Sequence, residues 1–245
     1  MGAHRDGVSH WDEVYAGSDA SRSWFQACPL MSLKMLDAAG VTASDSLIDV
    51  GGGASRLADA LLSRGFRDIT VLDISVTGMR YAQDRLGEQA QQVQWLATDV
   101  LAWKPPRRFR VWHDRAVFHF LTSPPDQHRY VRVLDAATET DAVAVFGCFA
   151  PDGPPRCSGL PVARYDIPAL AGHLGQAWTL CAGDREEHIT PAGVMQPFTW
   201  AAFRKAPGHG HANGTRTFCG VRRQPERGQL YAADLGFQVA VGGRG

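Results

Sequence analysis

The sequence predicts an α/β protein in which helices cover both faces of a parallel sheet. Three observations favour this fold. Segments of strand length alternate with segments of helical period between residues 46 and 174, and the segment 141–149 is apolar almost without interruption. A run of glycines at 51–53 joins the first strand directly to a helix. Continuously apolar strands are typical of parallel sheets that are buried on both faces.

The first half of the sheet is predicted from periodicity and from capping signals. Strands are expected at 46–50, 68–74 and 92–97, with helices at 54–64 and 75–88 between them. Gly65 is expected to end the first helix, because glycine tolerates the backbone conformation that follows a helix. Ser75 is expected to cap the second helix.

The second half continues the alternation and ends in an antiparallel pair. Strands are expected at 110–117 and 141–149, with a helix between them that begins at Ser123-Pro124. A Pro- and Gly-rich connection at 150–161 precedes a helix at 165–174. The last two strands, 177–182 and 196–204, are expected to pair as an edge hairpin, with residues 183–195 as their connection.

Composition excludes several classes of protein. The 245 residues carry 25 Lys and Arg against 25 Asp and Glu, and this balance disfavours a nucleic-acid partner. No apolar run reaches the ~18 residues of a membrane span, so no membrane partner is expected. The five scattered cysteines contain no Cys-x-x-Cys pair, which argues against disulfides and a structural metal site and favours the cytoplasm. The oligomeric state stays open.

The chain divides into three predicted segments. Residues 1–45 precede the first strand, residues 46–206 form the core, and residues 207–245 hold nine glycines without a helical period. We interpret the last segment as a tail. Its His209 and His211 are more typical of solvated side chains than of metal ligands.

The glycine turn and three aspartates indicate a nucleotide site. Glycine lets the backbone approach a ligand, and the helix that follows offers free N–H groups. Asp49 precedes the glycines, and Asp73 ends the second strand, where a carboxylate can accept hydrogen bonds from ribose hydroxyls. Asp99 ends the third strand, within reach of an adenine amino group. Each aspartate alone is also typical of a cap or turn, but three at successive strand ends favour a ligand.

These residues resemble the class I S-adenosylmethionine-dependent methyltransferases. Asp49-Val50-Gly51-Gly52-Gly53, Asp73 and Thr98-Asp99 stand in the order and spacing of that family, and the resemblance covers roughly residues 10–205. It implies a Rossmann-like, seven-stranded, doubly wound sheet with the last strand antiparallel. It also implies S-adenosyl-L-methionine as cofactor and methyl transfer as the reaction (EC 2.1.1.-).

The resemblance assigns a set of donor-binding residues. The family's first motif is Asp/Glu-x-Gly-x-Gly, and in related methyltransferases an aromatic N-terminal helix closes over the donor. The donor-binding residues are then Asp49, Gly51, Gly53, Asp73, Asp99 and Val100, with a cover formed by Trp11, Tyr15 or Trp24 within residues 1–45.

Three other interpretations fit parts of the same sequence. An NAD-dependent enzyme needs Gly-x-Gly-x-x-Gly, whereas this chain has Arg56 in place of the third glycine. A nucleotide-binding module without activity would not need polar strand ends. The element His10-Trp11-Asp12 is similar to protein lysine methyltransferases acting on citrate synthase and elongation factor 1A, but their Asp-Lys-Gly is replaced here by Asp114-Arg115-Ala116. A small-molecule acceptor with a nucleophilic N, O, S or metalloid atom is therefore favoured.

Polar residues near the fourth strand are the catalytic candidates. His113, Asp114, Arg115 and His119 interrupt an apolar segment. We expect His119 to act as a base, since imidazole titrates near neutral pH, and Asp114 and Arg115 to face the ligand. Alternatively, Asp114 caps the turn and Arg115 pairs with it.

Two further segments supply substrate-binding candidates. Cys157 lies in the connection over the expected acceptor pocket, where it either binds a soft acceptor or is a small buried side chain. Arg185 and His188 lie in the connection between the last two strands, where they either hold an anionic acceptor or belong to a solvated loop.

Overall fold

The computed structural model describes residues 2–16 and 22–207, with side chains from residue 7 onward. The predicted tail beyond residue 207, including His209 and His211, lies outside the described residues. The helices are α1 (Gly2–Tyr15), α2 (Leu30–Ala38), α3 (Leu57–Ser63), α4 (Val76–Leu86), α5 (Pro124–Ala137) and α6 (Ile167–Leu174). The strands are β1 (Leu47–Val50), β2 (Ile69–Asp73), β3 (Val93–Ala97), β4 (Phe109–Arg115), β5 (Thr138–Phe149), β6 (Arg156–Cys157), β7 (Leu160–Pro161), β8 (Trp178–Ile189) and β9 (Met195–Lys205).

Seven strands form one sheet in the order β3-β2-β1-β4-β5-β9-β8. The strands β1 to β5 run parallel, and β9 is antiparallel to both β5 and β8. The predicted fold class is therefore confirmed. The direction of winding reverses between β1 and β4, and ligands of open α/β sheets bind in the crevice at such a reversal.

The two faces of the sheet carry separate halves of the core. On β1, Leu47 packs with residues of α2 and α3, whereas Ile48 packs on the opposite face with Trp112 and residues of α5. Successive side chains of a strand point to opposite faces. Asp49 of β1 and His113 of β4 therefore share the face of α2 and α3, and the two are register partners.

Capping side chains fix where two of the helices begin. The Ser75 hydroxyl accepts a hydrogen bond from the Gly78 N–H at 3.0 Å, and the Ser123 hydroxyl accepts one from the Asp126 N–H at 3.3 Å. Both helix starts were predicted, because serine at the first position satisfies an N–H group that has no partner within the helix.

The predicted connection at 183–195 is wrong. The strand β8 continues to Ile189, so that Arg185 pairs with Thr199 and His188 with Gln196 of β9. Exposure alternates along this part of β8, which is an edge strand of the sheet. Its solvent-facing positions carry charges, and for that reason the sequence resembles a turn. Within the other predicted connection, 150–161, β6 and β7 form a two-stranded hairpin.

Asp114 caps the turn that follows β4. Its carboxylate accepts hydrogen bonds from the N–H groups of Val117 at 2.9 Å and Phe118 at 3.0 Å. The Tyr130 hydroxyl of α5 also donates to it, and that hydroxyl accepts from the Trp112 indole N–H at 2.9 Å. Burial raises the pKa of Asp114 to about 6. Of the two interpretations of Asp114, the capping role is the one that these contacts support.

We expect Tyr130→Phe to destabilise the protein by about 1–3 kcal/mol, because it removes one hydrogen bond to the buried Asp114 carboxylate and leaves the buried Trp112 indole N–H without its partner. Urea unfolding followed by circular dichroism measures this change. Tyr81→Phe is the matched control; its ring is 36% exposed, and we expect a loss below about 0.5 kcal/mol. Equal losses in the two variants would contradict the role given to Tyr130.

Candidate active site

A cavity of about 230 Å³ opens at the carboxyl ends of β1, β2, β3 and β4. Its floor is formed by the residues that end or follow these strands, and its rim by aromatic side chains of α1 and of residues 24–25. It therefore occupies the crevice at the reversal of strand order.

The glycine turn after β1 keeps the backbone open to this cavity. Gly51 has a φ of 70° and Gly53 a φ of 35°, both in the left-handed region that favours glycine. A Cβ atom at Gly51 would overlap Val117, and one at Gly53 would overlap the Tyr15 hydroxyl and lie 2.9 Å from an Asp73 oxygen. No larger residue fits either position without movement.

The predicted donor-binding aspartates lie around the cavity. Asp73 lines it while accepting a hydrogen bond from the Ser75 N–H at 2.7 Å. Burial, followed by the nearby charge of Asp49, raises the pKa of Asp73 to about 7. Asp99 and Val100 line the cavity beside it, and Asp99 accepts from the Leu101 N–H at 2.8 Å. The ribose and adenine roles of these residues stay predictions.

The aromatic cover predicted for the N-terminal segment lies over the cavity. Trp11, Tyr15 and Trp24 all line it, and the Trp11 ring lies 5.0 Å from that of Phe120 and 6.0 Å from that of Trp24. A hydrogen bond joins α1, the helix that carries Trp11, to the start of α4: the Ser75 hydroxyl donates to Asp12 at 2.6 Å. This hydrogen bond lowers the pKa of Asp12.

Arg115 lines the cavity with free hydrogen-bonding capacity. One guanidinium nitrogen, Nη1, donates to the Trp24 carbonyl at 2.9 Å, whereas Nε and Nη2 are buried without a hydrogen-bond partner among the described residues. Burial lowers the pKa of Arg115. Cys157 also lines the cavity, and burial raises the pKa of its thiol, so this side chain is neutral. The predicted pairing of Arg115 with Asp114 is not among the contacts of the described residues.

Five predicted site residues are not part of the cavity wall: Gly53, Asp114, His119, Arg185 and His188. His119 is buried between the rings of Phe120 and Phe149, and burial lowers its pKa to about 3. Arg185 pairs with Asp152 on the surface at 2.7 Å, and the His188 Nε2 donates to the Ser23 carbonyl at 2.7 Å. The structure therefore gives His119 no contact through which it would serve as the base.

The cavity residues to which the sequence gives no specific role include Ser32, Arg56 and His113. Arg56 was noted only as the missing third glycine, yet its buried Nε has no hydrogen-bond partner among the described residues. His113 belongs to the predicted polar cluster. Because it precedes Asp114 directly in a strand, the two side chains point to opposite faces of the sheet, and this is the signal that distinguishes them. Ser32 gave no signal, since only the packing of α2 brings it to the site.

Comparisons with known proteins agree with this architecture. Residues 47–140 match the family model of a methyltransferase domain. No curated protein matches the chain. Among solved structures, it is 20% identical (TM-score 0.65, covering 82% of this chain and 92% of the other) to a protein studied for the conversion of a disulfide bond into a thioacetal group during echinomycin biosynthesis.

Two further structures share the fold. The 1,6-didemethyltoxoflavin-N1-methyltransferase of Burkholderia thailandensis, with 1,6-didemethyltoxoflavin and S-adenosylhomocysteine bound, is 21% identical (TM-score 0.61, covering 83% of this chain and 87% of that one). The N-methyltransferase NodS of Bradyrhizobium japonicum, with S-adenosylhomocysteine, is 16% identical (TM-score 0.62, covering 81% and 97%). Within residues 2–16 and 22–207, no helix is long and apolar enough to cross a membrane, and no group of three or more His, Cys, Asp or Glu side chains is placed to hold a metal ion.

We expect the affinity for S-adenosylhomocysteine, the predicted product of the donor, to fall as the pH drops through about 7. The Asp73 carboxylate must be ionised to accept hydrogen bonds from ribose, and its raised pKa means that it is protonated below that pH. Calorimetric titration between pH 6 and 9 measures the effect. Asp73→Asn should weaken binding by about 1–3 kcal/mol at pH 8 and flatten the pH dependence; an unchanged pH dependence would remove the ribose assignment.

Proposed function

We propose that the protein is an S-adenosylmethionine-dependent methyltransferase that acts on a small molecule. The observation that carries this proposal is the juxtaposition of the glycine turn, Asp73 and Asp99 around one cavity, in the order and spacing of the class I family. The methyltransferase-domain match over residues 47–140 supports it.

The cavity fits the donor on two independent grounds. The turn at Gly51–Gly53 has no space for a side chain, and Gly51 and Gly52 form part of the cavity wall, where a glycine backbone can approach a ligand. The Asp49 oxygen Oδ2 is buried without a hydrogen-bond partner among the described residues, which fits a cationic amino group. A buried carboxylate oxygen without a partner costs about 1–3 kcal/mol, and a ligand that donates to it restores that stability.

The chain's own contribution to the reaction is alignment and exclusion of water. When bound, S-adenosylmethionine supplies a methyl group that is already activated for displacement by a nucleophile. Asp73 and Asp99 would hold the nucleoside end. Trp11 and Tyr15 would cover it and shield the reacting atoms from water.

The proposed acceptor is a small molecule that carries an anionic or hydrogen-bond-accepting group. The acceptor side of the cavity combines the rings of Trp24 and Phe120 with Cys157 and the free donors of Arg115. Aromatic walls favour a flat or apolar acceptor, and a buried guanidinium favours an anion. N-methylation of a small heterocycle by the structurally similar Burkholderia enzyme agrees with this size class.

A protein lysine methyltransferase and a nucleotide-binding module remain the alternatives. The resemblance to lysine methyltransferases lay in His10-Trp11-Asp12, and here Asp12 accepts from Ser75 and anchors α1 to the core. This contact gives the element a structural role that needs no protein substrate. For the compartment we propose the cytoplasm, since Cys28, Cys148 and Cys157 form no disulfide within residues 2–16 and 22–207.

We expect S-adenosylhomocysteine, and not NAD, to raise the midpoint of thermal unfolding. Ligand at a hundred times its dissociation constant adds about 2.7 kcal/mol of stability, which is several degrees for a chain of this size. Gly53→Val is the control, because the valine side chain would enter the space of Tyr15 and Asp73. The affinity of this variant for S-adenosylhomocysteine should fall about tenfold or more, a cost of ~1.4 kcal/mol. A shift with NAD alone would contradict the proposed cofactor.

We expect labelled methyl transfer from S-adenosylmethionine to at least one small acceptor. The panel consists of benzyl mercaptan, catechol and benzimidazole, which present a thiol, a hydroxyl and a ring nitrogen, with a lysine-rich histone peptide as the protein arm. Label in the peptide alone would favour the lysine methyltransferase, and donor binding without any transfer would favour the binding module.

A further inference from the structure

Three side chains that line the cavity form a continuous hydrogen-bonded series. An Asp49 carboxylate oxygen lies 2.7 Å from Nδ1 of His113, and Nε2 of the same ring lies 3.0 Å from the Ser32 hydroxyl. All three residues are at most 3% exposed to solvent, yet each contributes to the cavity wall. The series therefore runs from the interior of the sheet to the space in which a ligand would bind.

The fold holds this arrangement from two directions. Asp49 and His113 are register partners on adjacent parallel strands, so their side chains emerge on the same face at the same height. Ser32 lies in the first turn of α2, which packs Leu33 and Leu36 into the core on that face. None of the three side chains is carried on a long loop, and their relative positions follow from the sheet and one packed helix.

The hydrogen-bonding capacities fix the direction of the series. An ionised Asp49 only accepts, so Nδ1 of His113 donates to it. The other ring nitrogen, Nε2, then has a lone pair and accepts the proton of the Ser32 hydroxyl. A carboxylate that orients an imidazole in this way also stabilises the imidazolium that forms when the ring takes up a proton.

We propose that Ser32, His113 and Asp49 form a proton relay that deprotonates the methyl acceptor, with His113 as the base. The inference rests on the proposed methyl transfer. The nucleophile of the acceptor donates its proton to the Ser32 oxygen, and Ser32 passes its own proton to Nε2 of His113. A bond forms between the nucleophile and the methyl carbon as the carbon–sulfur bond breaks, and that electron pair stays on sulfur. The positive charge of the sulfonium ends on the imidazolium beside Asp49.

The charges around His113 are compatible with this role. Asp49 faces its ring from β1, and Asp114 and Arg115 follow it on β4. The ring of Trp200 on β9 lies 6.2 Å from the His113 ring, and its indole N–H donates to Glu186 at 2.7 Å. Arg115 is the one cation of this group, and it lies near Glu186. Asp49 is in direct contact with the ring, so its charge acts on His113 more strongly than the others do.

His113→Gln is the central test, because glutamine keeps a hydrogen-bonding side chain but does not titrate. With the panel acceptor that wild type methylates, we expect kcat/KM to fall about 10²–10⁴-fold, the range for loss of general-base catalysis. The acidic limb of the wild-type pH–rate profile should disappear in this variant. The affinity for S-adenosylhomocysteine should stay within threefold. His119→Gln is the matched control, and it should keep the wild-type rate and profile.

Ser32→Ala and Asp49→Asn test the two ends of the relay. Ser32→Ala removes one hydroxyl and should lower the rate about tenfold or more while it keeps the acidic limb, so it carries the test if His113→Gln fails to fold. Asp49→Asn should lower kcat, because an amide does not hold the same ring tautomer. In wild type, proton NMR should show a downfield imidazole N–H resonance that is absent in His113→Gln and present in His119→Gln.

Several outcomes would overturn the relay without touching the proposed function. All of them concern His113→Gln. They are a rate above a tenth of wild type, an acidic limb that persists, or a rate loss matched by an equal loss of S-adenosylhomocysteine affinity in that variant. The last result would make the triad a positioning group for the donor. Absence of methyl transfer by wild type itself, with donor bound, would instead overturn the proposed function and the relay with it.

Discussion

The contact between Asp49 and His113 joins the two strands at which the sheet reverses its winding. Because β1 and β4 carry the chain toward opposite edges, the crevice between their ends has no covering connection. The pair spans that crevice at 2.7 Å with both side chains buried. Burying a carboxylate is costly unless a partner compensates it, so the position of each residue depends on the other. The glycine turn, the end of β4 and the site of Ser32 are all arranged around this contact.

The N-terminal cover depends on contacts that reach across the same crevice. Arg115 donates to the Trp24 carbonyl from β4, and Arg22 donates to the Tyr15 carbonyl at 2.7 Å from within the cover itself. His188, on the far edge of the sheet, donates to the Ser23 carbonyl. Each of these bonds holds backbone of the cover, so the aromatic side chains are left free to face the cavity. The contact that the structure gives His188 is thus a supporting one, and its predicted substrate role stays a prediction.

Local signals predicted the donor side of the site, and long-range packing decided the rest. The glycine turn, Asp73 and Asp99 lie at strand ends that periodicity identifies, and the predicted positions were within one or two residues of the observed ones. Ser32 could not be predicted, because it is 81 residues from His113 and only the tertiary fold brings them together. The charged stretch of β8 misled the prediction, since an edge strand exposes alternate side chains as a turn does.

The different surroundings of His113 and His119 illustrate a physical limit of that reasoning. Within β4 the period of two sorts the polar side chains. His113 and Arg115 face the cavity, and Asp114 faces α5 and serves the turn. That period ends with the strand at Arg115, and His119 lies beyond it in a short 3₁₀ turn at Phe118–Phe120. The sequence position of His119 shows that an imidazole follows the strand closely. The direction of a side chain is fixed by the sheet only for residues within the strand, such as His113.

The uncompensated polar atoms of the cavity connect stability with ligand binding. Asp49 keeps one buried oxygen without a partner, and Arg115 and Arg56 keep buried donors without one, among the described residues. Charged groups of both signs therefore have unpaired polar atoms at one site, and each unpaired atom lowers the stability of the fold. A ligand with a cationic and an anionic group would satisfy them together. Its binding free energy then includes the relief of that cost, and the bound ligand stabilises the folded state.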